Sequence, residues 1–74
     1  MVTKVTDPRK PLGRTIRALR LKAGLTQEQL AEAADLHWTY ISGIERGVRN
    51  ASITSLHQIA AALNLRVRDL VKDF

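Results

Sequence analysis

The chain has 74 residues, 12 Lys and Arg against 7 Asp and Glu, a formal net charge of +5 and no cysteine. That length supports one domain with one modest core, and the missing thiols exclude disulfides and thiolate metal sites. A hydrophobic content of 45% argues against disorder over most of the chain. No apolar run approaches the roughly 20 residues that span a bilayer, and no signal-peptide pattern opens the chain, so a cytoplasmic location is expected. The basic balance favours a polyanionic partner.

The opening segment MVTKVTDPRKP, residues 1–11, holds both prolines and shows no apolar periodicity. It reads as a flexible basic arm exposing Lys4, Arg9 and Lys10. From Leu12 the pattern turns helical: Leu12, Ile16, Leu19 and Ala23 share one face, and Gly24 supplies a stop. Thr26 begins TQEQ, a capping box in which Gln29 stands three residues after the cap, and Leu30, Ala31 and Ala34 form the inner stripe of the second helix. Asp35-Leu36-His37 makes a short turn. A third helix follows from about Trp38 to Arg46, stopped by Gly47.

After VRNA, Ser52 is a suitable N-cap for a fourth helix with Ile53, Leu56, Ile59, Ala60 and Leu63 at helical spacing. Asn64 suits the left-handed conformation that ends it. The last short helix, about Val67 to Phe74, carries Val67, Leu70, Val71 and Phe74 at i, i+3, i+4 and i+7. The expected fold is therefore all-α, a compact five-helix domain over residues 12–74, with no strand.

The second and third helices, Gln27–Ala34 and Trp38–Arg46, are joined by three residues in a basic chain, which is the layout of a helix-turn-helix. Three segments, LRLKAGLTQEQLA, LHWTYISGIERG and SITSLHQIAAALN, resemble the Cro/lambda-repressor (XRE-type) helix-turn-helix family over about Leu12 to Phe74. Within that family TYISGIERGVRN looks most like the small controllers of restriction–modification systems. The resemblance implies a lambda-repressor-like fold and a dimeric, autoregulatory, sequence-specific regulator that binds a pseudo-palindromic operator in double-stranded DNA, activating and repressing.

The residues suit that role physically. Ile41 and Ile44 point inward, which turns Trp38, Thr39, Ser42 and Gly43 outward. Ser and Thr hydroxyls exchange hydrogen bonds with base edges, and a glycine allows close approach to a duplex. Trp38 has two readings, as a cover over the helix start or as an apolar contact to a thymine methyl or deoxyribose. Its indole has one donor and no acceptor, so it cannot make the bidentate guanine contact implied by the arginine that controller-type relatives often carry here. The Tyr40 ring leans on the body of the domain while its hydroxyl reaches a phosphate or base, a DNA contact that the matching family position implies. Candidate phosphate contacts are Gln27 at the start of the second helix, His37 at the N-cap of the third and, as the resemblance implies, Arg46, Arg49 and Asn50 in the loop behind it.

Glu45 is unsuited to contact DNA, since phosphates repel a carboxylate. The resemblance implies instead an ion pair with Arg20. Glu28 and Glu32 lie at i, i+4 on the second helix. Their default reading is solvation, while the matching face of lambda-repressor-like activators implies a polymerase contact. Leu70 is expected in the core, and Leu63, Leu65, Val71 and Phe74 at a homodimer interface, since a domain this small has few surfaces left to cover an apolar stripe.

A second class of function is an antitoxin-type module that binds a protein partner as well as DNA. Enzymatic chemistry finds little support: His37 and His57 are isolated, the carboxylates are dispersed, and no glycine-rich phosphate loop is present. No metal, cofactor or small-molecule ligand is expected.

Overall fold

The computed structural model describes residues 7–72. Five helices follow in order: α1 (Arg9–Lys22), α2 (Gln27–Ala34), α3 (Trp38–Glu45), α4 (Ile53–Ala62) and α5 (Val67–Val71). α1 packs on α3 and α5, α2 packs on α3 and α4, and α4 packs on α5. The side chains between them are Leu12, Ile16, Leu30, Ala31, Ala34, Ile41, Ile44, Leu56, Ile59, Ala60 and Leu70, all buried. The apolar stripes of the sequence thus converge on one core.

Two ends differ from expectation. α1 starts at Arg9 rather than Leu12, so Arg9, Lys10 and Pro11 are helical and not part of an arm. Proline is tolerated there because the first helical N–H groups have no intrahelical partner to lose. Pro8 is the N-cap and has no side-chain bond to offer; Asp7 before it occupies one free helix donor, its carboxylate accepting from the Arg9 backbone N–H at 3.0 Å and pairing with the Arg9 guanidinium at 2.7 Å. These bonds to Arg9 hold the Asp7 carboxyl down at about 2. Residues 1–6 of the expected arm, Lys4 among them, lie outside the described residues. At the other end α5 stops at Val71, and Phe74 also lies outside them.

Four of the helices close in one way. A residue with positive φ follows the last turn of each: Gly24, Asp35, Gly47 and Asn64. The next residue is apolar and its N–H reaches back five positions: Leu25 to Arg20 O, Leu36 to Ala31 O, Val48 to Gly43 O, and Leu65 to Ala60 O, at 2.8–3.1 Å. This closure satisfies the orphan carbonyls of a helix end and turns the chain sharply. It lets five helices pack with connections of only a few residues. Thr26 and Ser52 cap α2 and α4 from the other side, accepting from the Gln29 and Ser55 N–H groups, each at 3.0 Å. Gln58 of α4 donates to the Ala34 carbonyl at 3.1 Å, so one helix helps to terminate another.

Some stripe members fall outside the core. Ala23 is exposed because it is the C-cap of α1. Ile53, the first helical residue of α4, is 70% exposed, since a side chain there tilts back toward the helix start and beyond the packed turns.

α1 crosses α3 at Gly13. A Cβ at Gly13 would come within 2.6 Å of the Glu45 carbonyl oxygen and would clash with the Ile44 carbonyl oxygen as well. Both obstacles are backbone, which cannot swing aside. Gly13→Ala is therefore expected to destabilise the domain by ~2–3 kcal/mol, roughly 8–24 °C in Tm, by forcing α1 and α3 apart. Thermal unfolding followed by circular dichroism checks this, and an unchanged Tm would contradict the crossing.

Candidate nucleic-acid interface

The helix-turn-helix is α2, the left-handed turn at Asp35, and α3. Its orientation in the domain is set by a buried ion pair. Arg20 Nε donates to Glu45 Oε2 at 2.6 Å, and Arg20 Nη2 donates to Oε1 at 2.9 Å. The remaining polar atoms also find partners. Arg20 Nη1 donates to the Leu25 carbonyl at 2.8 Å, and Gln27 Nε2 donates to Glu45 Oε1 at 3.1 Å. Among the described residues no buried side-chain nitrogen or oxygen lacks a partner. The hydrogen bonds to Glu45 raise the Arg20 pKa further above its already high value.

One consequence concerns Gln27, expected at a phosphate. Its side-chain amide is turned toward Glu45, which makes it a brace between α2 and α3. The spacing of the sequence could not show this, because Gln27 and Glu45 are 18 residues apart.

α3 exposes its first turn. Trp38 is 48% exposed, and Thr39 and His37 are exposed as well. The Trp38 and His37 rings stack with centroids 6.3 Å apart and planes inclined by 26°. Trp38 also lines an open groove with Arg20, Leu21, Gly24, Leu25, Thr26, Gln27 and Glu28, at the junction of α1 and α2. The indole is therefore neither a buried cover nor a free plate. His37 is the N-cap: its Nδ1 accepts from the Thr39 N–H at 3.2 Å and lies 2.7 Å from the Thr39 hydroxyl.

Gly43 differs from expectation. Gly43 is buried, and a Cβ there would come within 3.2 Å of Arg49 Cβ and Cγ. The missing side chain makes room for the Arg49 stem, so Gly43 does not belong to the outward face. Tyr40 is half-buried, and its hydroxyl donates to the Asn50 carbonyl at 3.2 Å and accepts from the Ser52 N–H at 3.3 Å. Burial raises its pKa, but hydrogen bonds from Ser55 and Ser52 and the nearby Arg49 charge outweigh this and leave it below the ordinary phenol value. The Arg49 guanidinium lies 5.4 Å from the centre of the Tyr40 ring. Tyr40 thus fastens the loop after α3 rather than projecting a free hydroxyl.

Arg46, Arg49 and Asn50 are exposed in that loop, and Ser42 is partly exposed. Lys10 joins them from α1, lying so close to Gly47 that a Cβ there would come within 2.9 Å of Lys10 Cγ. No local signal reveals this neighbour, because in the sequence Lys10 reads as part of an arm. The outcome is an exposed aromatic and hydroxyl turn at the start of α3 and a basic loop at its end.

Residues 16–70 match the helix-turn-helix family, and the chain belongs to it. It is 47% identical over 60 residues to the control protein C.BamHI of Bacillus amyloliquefaciens, covering 80% of this chain and 74% of that one. It is 42% identical over 65 residues to the control protein C.SmaI of Serratia marcescens, covering 88% and 77%. The crystal structure of the restriction-modification controller protein C.AhdI from Aeromonas hydrophila superposes with a TM-score of 0.85 at 37% identity, covering 88% of this chain and 98% of that one. Fold and family are those of DNA-binding transcription regulators rather than of enzymes.

The ion pair yields a stability prediction. Glu45→Ala leaves Arg20 buried without its counter-charge and is expected to cost about 3–5 kcal/mol in urea denaturation. Arg20→Met combined with Glu45→Met should recover most of that loss, because no unpaired charge remains inside.

Proposed function

We propose that the protein is a sequence-specific transcription regulator of the restriction–modification controller type, acting on a pseudo-palindromic operator in the cytoplasm. The observation that carries this reading is the pairing of exposed Trp38 and Thr39 and partly exposed Ser42 with a fastened basic loop on one helix-turn-helix. Similarity to control proteins supports the controller assignment. In this arrangement α3 enters the major groove, where side chains read base edges, while Arg46, Arg49, Asn50 and Lys10 face the sugar–phosphate backbone. His37 sits at the start of α3, where a phosphate is also favoured.

One α3 reads only a few base pairs, so a palindrome requires two copies about 34 Å apart. Leu63, Leu65 and Val71 are half-buried at the end of α4 and on α5, where a second copy would complete their burial. Leu63 and Val71 also pack on the domain's own core, whereas Leu65 sits beyond it in the turn and is the cleaner probe. Phe74 belongs to the same proposed interface. Glu28 and Glu32 are both exposed on α2, and we assign to them a contact with RNA polymerase in activation.

Three measurements test the proposal. In fluorescence anisotropy over a salt series, Arg46→Ala and Arg49→Ala should each weaken binding to all sequences and lower the log–log salt slope by about one unit. An unchanged slope removes that residue from the phosphate contacts. In sedimentation equilibrium, wild type should be dimeric at tens of micromolar and Leu65→Asp a folded monomer, while a monomeric wild type overturns the dimer. Glu28→Lys with Glu32→Lys should abolish stimulated transcription while operator occupancy persists. Full stimulation in that variant would sink the polymerase contact.

A further inference from the structure

The Thr39 backbone N–H can only donate, so its bond to His37 Nδ1 requires that nitrogen to carry its lone pair. The Thr39 hydroxyl lies 2.7 Å from the same nitrogen. Its proton must therefore point at Nδ1, since oxygen and nitrogen lone pairs facing each other at that distance would repel. With the proton committed, the hydroxyl offers an incoming group only lone pairs. It can accept a hydrogen bond from DNA and cannot donate one.

In the major groove the base groups that donate are the adenine N6 and cytosine N4 amines. Beside Thr39 stands Trp38, half-exposed and held against the His37 ring, with apolar surface and a single N–H donor. The unmodified base pair that offers an amine donor together with an apolar methyl in that groove is A·T. Resting on the DNA-binding reading, we infer that the start of α3 reads an A·T pair in each half-site. Thr39 Oγ1 accepts from the adenine N6 amine, and Trp38 covers the thymine methyl. His37 is the positioning residue that fixes both, as N-cap, as acceptor for the Thr39 hydroxyl and as stacking partner for the indole.

The test begins with selection of sites from a random duplex library by the full chain. Each adenine in the enriched site is then replaced by purine, which lacks the N6 amine, and each thymine by uracil, which lacks the methyl. At one A·T pair per half-site, purine should weaken wild-type binding roughly tenfold and uracil severalfold. Thr39→Val, which keeps the shape but removes the hydroxyl, should bind adenine and purine there equally well. Trp38→Ala should likewise lose the difference between thymine and uracil.

His37→Gly removes the side-chain acceptor while leaving a residue that helix N-caps tolerate, so Tm should fall only slightly. It frees the Thr39 hydroxyl to donate, so a fresh selection should relax from A·T toward tolerance of G·C at that pair. A merely structural His37 would leave that selection unchanged and would overturn its assigned role. An enriched site in which purine costs Thr39→Val as much as wild type overturns the A·T assignment while the regulator reading stands. Failure to enrich any sequence overturns the regulator reading, and the A·T assignment with it.

Discussion

The bidentate Arg20–Glu45 pair governs the geometry of this domain. Each charge would be costly to bury alone, and each is satisfied only when α1, the Leu25 turn, α2 and α3 are all in register. Arg20 spans from the last turn of α1 to the last residue of α3. Gln27 adds the start of α2 to the same cluster. A shift of any one element strands a buried polar atom, which is a steeper penalty than a small loss of apolar contact. Apolar packing holds the helices together, while the ion pair specifies how α3 is presented.

Close contact at Gly13 works with it. Steric exclusion sets how near α1 and α3 come, and the ion pair sets how one is rotated on the other. The two constraints act on neighbouring residues, since Gly13 meets the carbonyl of Glu45, whose side chain receives Arg20. Mispacking of this crossing would therefore disturb both at once.

The helices were legible in the sequence because their signals are local. The TQEQ box, Ser52, Gly24, Gly47 and Asn64 each act within a turn, and each does so in the structure. Proline misled at the start of α1, because the same residue that breaks a helix interior suits its first turn. Functional side chains were harder to read, because their partners are remote in sequence or depend on rotation about a helix axis. Gln27 needed Glu45, Tyr40 needed Asn50 and Ser52, and Lys10 needed Gly47. Counting along an ideal helix turns Gly43 outward, whereas the loop doubles back and lays Arg49 over it. Periodicity tells which face is apolar, but not which loop returns to cover the other face.

That returning loop explains a feature of the site that composition would not suggest. Exposed arginines lose considerable side-chain freedom when they bind a phosphate, and this opposes the contact. Here part of that loss is incurred on folding. The Val48 and Arg49 N–H groups are held by the Gly43 carbonyl, the Arg49 stem rests on Gly43, its head lies over Tyr40, and Tyr40 anchors Asn50 and Ser52. Arg46, in contrast, is exposed and is joined to α3 only as its C-cap. In the proposed DNA complex the two arginines thus differ in kind: Arg49 is pre-ordered by its surroundings, and Arg46 is ordered only by the phosphate it meets. The same logic applies at the other end of α3, where His37 orders Trp38 and Thr39 before any base arrives. Pre-ordering at both ends of one eight-residue helix lets a small domain spend little conformational entropy on docking.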